Sequence, residues 1–216
     1  MDHRIDGEGR HARRIVLPAV LLVAVAAAAF VAARAVGGGR PVLVGTDLGK
    51  MAAPDFTLTD QRGATVRLAD LRGRAVVLTF IYTRCPDVCP LTAENLRAAD
   101  ALLSKRDRNR VELLAVTVDP ARDTPAALQA FSAEHRLADN PCWHALRGER
   151  AALLPIWHAY GIDPGAMLAM ATPAGVAAFA HTDAIYLIDP RGRERVLLHS
   201  NTAPPVLAKD LESVLG

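Results

Sequence analysis

The rhythm of apolar and polar positions changes repeatedly along the chain, and each rhythm predicts a different element. From Ile15 to Ala33 nineteen consecutive residues carry no charge. Wound as a helix at about 1.5 Å per residue, they span roughly the 30 Å of a bilayer's hydrocarbon core. Three glycines at 37–39 and Pro41 end this run, and residues 37–53 read as a linker without sustained periodicity. After Pro54, Phe56 and Leu58 alternate with polar neighbours, as do Val66 and Leu68 beyond Asp60-Gln61-Arg62-Gly63. That is the pattern of a hairpin closed by a glycine-containing turn. Ala75 to Tyr82 is continuously apolar and β-branched, as in a strand buried on both faces. A polar, proline-rich stretch, Thr83 to Pro90, leads into a helical pattern carrying Leu91, Leu96, Leu102 and Leu103. Because proline suits a first helical turn, this helix is expected to start at about Pro90. Val111 to Asp119 is a second buried strand, and Thr124-Pro125 supplies an N-cap and first-turn proline for a helix with Leu128 and Phe131. Ile185–Asp189 and Arg195–His199 flank the turn Pro190-Arg191-Gly192, and Pro204-Pro205 open a closing helix with Val206, Leu207, Leu211, Val214 and Leu215. Parallel strands linked by helices, then a hairpin and a last helix, make an α/β sandwich with an N-terminal β-hairpin.

Composition adds location. The 216 residues are 51% apolar and 22% charged, enough for one core with an appendage and incompatible with a disordered chain. The formal charge of +2 is uneven: six arginines against Asp2, Asp6 and Glu8 give residues 1–40 a charge of +3, leaving −1 for the rest. A near-neutral globular part has no field to neutralise a phosphate backbone, so nucleic-acid partners are excluded. Arg10, Arg13 and Arg14 precede the apolar run, which by the positive-inside rule makes 1–14 a cytoplasmic arm, 15–36 a transmembrane anchor and the remainder an exported domain. Ala33-Arg34-Ala35 leaves a cleaved signal peptide as the rival reading, and the acidic residues of the arm argue against a mitochondrial presequence. The expected setting is a bacterial inner membrane, crossed once, with the globular domain in the periplasm, where disulfides persist.

Three cysteines are too few for a disulfide-stapled fold, but Cys85 and Cys89 stand between a buried strand and a helix. Sites in open α/β sheets form at the carboxyl ends of strands, and a helix N-terminus favours thiolate. The spacing has one residue more than the Cys-x-x-Cys of redox motifs, so a disulfide and a two-sulfur metal clamp both remain open. His181 stands in the stretch leading into the strand Ile185–Asp189. Two thiolates and an imidazole suit copper, Cu(I) through sulfur and Cu(II) with help from nitrogen, and fall one ligand short of a closed zinc site.

Phe80-Ile81-Tyr82-Thr83-Arg84-Cys85-Pro86-Asp87-Val88-Cys89-Pro90, Val118-Asp119-Pro120-Ala121-Arg122-Asp123-Thr124-Pro125 and His181-Thr182-Asp183-Ala184-Ile185-Tyr186-Leu187-Ile188-Asp189-Pro190 together resemble the Sco/SenC family. The resemblance covers about 54–216. It implies a thioredoxin-like domain, preceded by one transmembrane helix, that binds copper through Cys85, Cys89 and His181. Such a metallochaperone delivers copper to the CuA-bearing subunit of cytochrome c oxidase after loading by a copper donor. The alternative is a thiol-disulfide oxidoreductase, with Cys85 and Cys89 as the redox-active pair, that keeps the CuA cysteines reduced at the expense of a thiol reductant. The protein is thus read as a copper-transfer protein first and an enzyme second. A third reading, a peroxidase with Cys85 as the reactive thiol and Thr83 nearby, leaves His181 without a task. His181 is preceded by Ala180, where the family often carries an acidic residue.

The remaining residues have plainer readings. Cys142 beside Trp143 is expected in the core, Asp119 and Asp123 in the organisation of a turn and helix start. Asp87 either orients the thiol loop or is solvated. The segment 161–180, with Met167 and Met170, reads as an inserted loop that packs on the domain or meets a partner. The histidines at 3, 11, 135, 144, 158 and 199 have no spacing that singles them out.

Overall fold

The computed structural model describes residues 43–165 and 183–216. Residues 15–36, His181, Met167 and Met170 lie outside the described residues, so the expected anchor and the expected third copper ligand carry no structural account. No helix among the described residues is long and apolar enough to cross a membrane.

Along the chain run β1 (Thr46–Asp47), β2 (Thr57–Asp60), β3 (Thr65–Arg67), a 3-10 turn at Leu68–Leu71, β4 (Ala75–Ile81), α1 (Val88–Leu102), α2 (Lys105–Arg108), β5 (Val111–Thr117), α3 (Pro125–Glu134), β6 (Trp143–Arg147), α4 (Arg150–Ala159), β7 (Ala184–Ile188), β8 (Glu194–His199) and α5 (Pro204–Leu215). The described strands form one mixed sheet in the order β1-β8-β7-β4-β5-β6-β2-β3. β4, β5 and β6 are parallel, β7 runs antiparallel to β4, and the expected hairpin β2-β3 extends the sheet beyond β6. Every residue of β4 and β5 is buried, as their unbroken apolar runs require of strands covered on both faces. The helix at Thr124-Pro125 is capped as expected, with the Thr124 hydroxyl accepting from the Ala127 N–H at 3.2 Å.

Three expectations are corrected. β6 and α4 are additional elements. β6 is only five residues long and interleaves His144 and Arg147 with its buried positions, so its alternation is too short to stand out. α4 carries Pro155 in its interior, a residue that argues against a helix from sequence, yet Leu153, Ile156 and Trp157 are buried along it. The sheet also begins inside the stretch read as a linker, because β1 pairs with β8 and Ala52 bridges to Arg193. A two-residue strand has no period to read.

The third correction concerns α1, which starts at Val88 rather than Pro90, with Asp87 as N-cap accepting from the Val88 N–H at 2.6 Å. Pro90 is compatible with this position. Its missing N–H is one of the unpaired donors of any first turn, and the carbonyl it would crowd, that of Pro86, lies outside the helix. Cys89 consequently sits within the first turn of α1, while Cys85 remains in the loop.

Both tryptophans are fully buried with their N–H groups satisfied, Trp143 by Ser132 Oγ at 2.8 Å and Trp157 by the Thr117 carbonyl at 3.1 Å. The second bond ties α4 to the carboxyl end of β5. Tyr160, just past α4, packs its ring against Phe56, Phe80 and Tyr186.

Candidate functional site

β4 ends at Ile81, and the chain then turns through Tyr82-Thr83-Arg84 to place Cys85 beside the first turn of α1. Both thiols are buried, Cys85 at 9% exposure and Cys89 at 2%, and both are free. The Cys89 N–H donates to Cys85 Sγ at 3.3 Å, so an amide of the helix N-terminus points at the sulfur. The two thiols are not equivalent. Cys85 is pulled down to about 6, first by a hydrogen bond from the Cys89 thiol and, against the opposing effect of burial, by the N–H groups of Asp87 and Cys89 and the Tyr82 hydroxyl. Cys89 is pushed well up, first because it is the donor to Cys85, then by burial and the nearby Cys85 charge. The metal-free pair is therefore biased toward a thiolate at Cys85, beside a helix N-terminus that favours it, with Cys89 keeping its proton. Tyr82, buried beneath the loop, is itself raised by burial and by the Cys85 charge.

The loop is held from below by Asp123, which is fully buried. Its Oδ1 accepts from the Thr83 N–H at 3.0 Å and the Thr83 hydroxyl at 2.7 Å, and its Oδ2 accepts from the Thr117 hydroxyl. Burial raises the Asp123 carboxyl despite these bonds. Asp123 thus does more than organise its own turn: it fastens the end of β5 to the segment that carries Cys85. Asp119 has the local role expected, its carbonyl accepting from the Arg122 and Asp123 N–H groups and its carboxylate from Arg122 at 3.0 Å.

Beside the α1 N-terminus lies a cavity of ≈ 410 Å³ lined by residues that include Asp87, Val88, Leu91, Asp183, His199 and Asn201. Asp183 immediately precedes β7. Its carboxylate accepts from the Ser200 hydroxyl at 3.0 Å and lies 3.0 Å from His199 Nδ1. Sequence reading singled out neither residue. The signal was present in the hairpin, because folding it about Arg191-Gly192 sets Ala184 opposite His199, as the register shows.

Cys142 is buried, as expected of a small core residue. Arg74 Nη2 lies 3.4 Å from its sulfur, and burial raises its thiol. It lies near the start of β6, at the opposite end of the parallel strands from Cys85. Among the described residues no group of three His, Cys, Asp or Glu is arranged to hold a metal ion. Cys85 and Cys89 supply two soft donors, and the third donor expected from sequence, His181, lies outside the described residues. A soft two-sulfur pair with a partial thiolate fits copper.

Residues 45–216 match the SCO1/SenC family model. A protein of Stutzerimonas stutzeri is 28% identical over 164 residues, covering 76% of this chain and 75% of its own. Among solved structures, Bradyrhizobium japonicum ScoI with copper bound superposes with a TM-score of 0.56 at 29% identity, over 76% of this chain and all of that one. BsSco, described by a disulfide switch and as a member of the Sco family of cytochrome c oxidase assembly proteins, superposes with a TM-score of 0.62 at 25% identity, over 79% of this chain and 96% of that one. With the thioredoxin-like architecture and the paired thiols at the end of β4, these matches establish that the chain belongs to the SCO1/SenC family.

Proposed function

We propose that the protein is a membrane-tethered copper carrier that binds copper through Cys85, Cys89 and His181 and delivers it to the CuA-bearing subunit of cytochrome c oxidase. The observation that carries this reading is the buried pair itself, two sulfurs at the end of a central strand with one already biased to thiolate. Copper is cargo in this scheme. Its binding displaces the remaining thiol proton to solvent, so loading is linked to pH and to the reduced state of the pair. Transfer then proceeds by ligand exchange, with incoming thiolates and imidazoles of the acceptor replacing Cys85 and Cys89 in turn. The named relatives support it: ScoI has been solved with copper, and BsSco is described as an oxidase assembly protein. The anchor at 15–36 would hold the carrier at a bacterial inner membrane, with its domain in the periplasm beside its acceptor.

A second reading, thiol-disulfide exchange that keeps the CuA cysteines reduced, is favoured by the same asymmetry. A thiolate at Cys85 attacks a partner disulfide to give a mixed disulfide, and Cys89 resolves it, leaving the pair oxidised and the partner's two thiols reduced. A thiol reductant then regenerates the pair. The peroxidase reading loses support because the Thr83 hydroxyl donates its one proton to Asp123, not to the Cys85 sulfur.

The deciding experiment titrates the reduced, metal-free full chain anaerobically with Cu(I) against a competing chelator, wild type beside Cys85→Ser and His181→Ala. One copper bound by wild type, lost in Cys85→Ser and weakened in His181→Ala, supports the carrier. Weak binding indifferent to His181, with retained disulfide reduction, supports exchange.

A further inference from the structure

Cys85 is aimed by a tight turn: its N–H donates to the Tyr82 carbonyl at 3.2 Å, with Thr83 and Arg84 at the centre. Arg84 is exposed, but Thr83 is gripped twice by one carboxylate oxygen. Asp123 Oδ1 accepts its N–H at 3.0 Å and its hydroxyl at 2.7 Å, so the turn residue is held through backbone and side chain together. Asp123 is itself fixed. It is fully buried, its own N–H donates to the Asp119 carbonyl at 2.9 Å, its carbonyl accepts from Arg147 Nε at 3.3 Å, and its Oδ2 accepts from the Thr117 hydroxyl. Thr117, the last residue of β5, is buried as well, and its carbonyl accepts from Trp157 Nε1 at 3.1 Å. The turn that presents Cys85 is therefore anchored to the core through Asp123. Beyond the turn, Cys85 Sγ accepts from the Cys89 N–H at 3.3 Å, a contact that lasts only while the loop presents the sulfur to the first turn of α1.

We propose that Thr83, gripped by Asp123, is a positioning residue for copper binding: it presets Cys85 Sγ against the first turn of α1, so that the two sulfurs are in place before the metal arrives. The inference rests on the copper-carrier reading and deepens it by assigning a residue pair that acts on the metal through the backbone, not as a ligand. A clamp formed in advance need not order its loop on binding, which is how preorganisation raises affinity. Without the grip, the turn can rotate and Cys85 can leave the Cys89 N–H, and each copper bound must then restore that geometry. The Thr83 hydroxyl has one proton, and it goes to the buried carboxylate. A side chain of the same shape without the O–H would leave Asp123 holding the turn by the backbone bond alone.

The test compares Thr83→Val with Thr83→Ser in the reduced, metal-free full chain. Valine keeps the shape of threonine and the Asp123 charge and removes only the hydroxyl bond, whereas serine restores that bond. Cu(I) affinity is read by anaerobic competition with bathocuproine disulfonate, and alkylation of Cys85 by iodoacetamide is followed against pH. Thr83→Val is expected to bind Cu(I) about tenfold more weakly, with the Cys85 midpoint moved upward as the sulfur loses the Cys89 N–H, while Thr83→Ser stays within about twofold of wild type. Asp123→Ala, which removes both bonds to Thr83, should weaken binding further than Thr83→Val; if it does not fold, the valine and serine variants decide alone. An affinity or a midpoint unchanged in Thr83→Val, or an equal loss in valine and serine, overturns the inference while leaving the carrier intact. A wild-type chain that binds no Cu(I) overturns the carrier reading and this inference with it.

Discussion

The Asp123 carboxylate accepts both the N–H and the hydroxyl of Thr83, across the gap between the loop after β5 and the turn that delivers Cys85. A fully buried acidic side chain is therefore used as a fastener for the thiol loop, forty residues away in sequence. Its third partner, the Thr117 hydroxyl, belongs to the last residue of β5. The geometry of the Cys85 loop is set by hydrogen bonds from the neighbouring strand as much as by its own prolines.

Removing this fastener leaves buried donors without an acceptor. Asp123→Ala is expected to lower stability by about 1–3 kcal/mol for each buried group left unpaired. Asp123→Asn, whose amide oxygen can still accept from Thr83, should lose less. Urea unfolding of the two variants beside wild type checks this, and equal losses in Asn and Ala would show that the charge, not the bonding, matters.

Cys85 should be the reactive thiol of the reduced, metal-free protein. With its pKa lowered to about 6, its alkylation rate should reach half its maximum near that pH. The Cys89 thiol is the leading cause of the lowering, so Cys89→Ala should move the midpoint upward. Cys142, buried and raised, should react slowly throughout. Iodoacetamide rates followed by mass spectrometry from pH 5 to 9 resolve the three sulfurs, and a Cys85 midpoint above 8 would contradict the assignment.

What was legible in the sequence was whatever leaves a long or strongly punctuated pattern. The runs Ala75–Tyr82 and Val111–Asp119 announced the buried strands, and Thr124-Pro125 marked the start of α3 to the residue. β6 and α4 were missed because five residues are too few for alternation and an internal proline masks a helix. At the site, Cys85 and Cys89 stood out by residue type and position, whereas Asp123, Asp183 and His199 acquire meaning only through partners that are distant in sequence. A carboxylate looks the same in sequence whether it caps its own turn or anchors another.

His144 shows the same limitation and yields a pH-dependent prediction. Its Nδ1 lies 3.0 Å from Asp60 at the end of β2 and its Nε2 3.3 Å from Glu112 on β5. Arg62 and Arg74 approach the same two carboxylates, at 3.3 Å from Asp60 and 3.0 Å from Glu112. Burial alone would lower the His144 pKa, but the bonds to Glu112 and Asp60 prevail and raise it. A folded pKa above the unfolded one stabilises the fold, fully below the unfolded value near 6.5, and this contribution is lost as pH rises through the raised folded value. His144→Gln should therefore cost about 1.5–3 kcal/mol at pH 6 and markedly less at pH 9, measured by urea unfolding. A cost that is larger at pH 9 would reverse the sign and refute the clamp.

The entry of the chain into the sheet depends on a glycine. A Cβ on Gly45 would stand 2.4 Å from the Leu197 carbonyl oxygen and 2.4 Å from Val196 Cγ1, and a backbone oxygen held in β8 cannot move aside cheaply. Gly45→Ala should push β1 off the edge of β8. The cost is that of overpacking, about 1–3 kcal/mol, and it should be local. The Leu48 N–H, which donates to the Arg195 carbonyl at 3.1 Å, and the Val44 N–H, which donates to Asp210 at 3.2 Å, should lose protection from hydrogen exchange. Amides of β4 and β5, far from this edge in the strand order, should keep theirs. If Leu48 stays protected in the variant, the edge tolerates the methyl group and the close approach of Gly45 does not hold β1 in place.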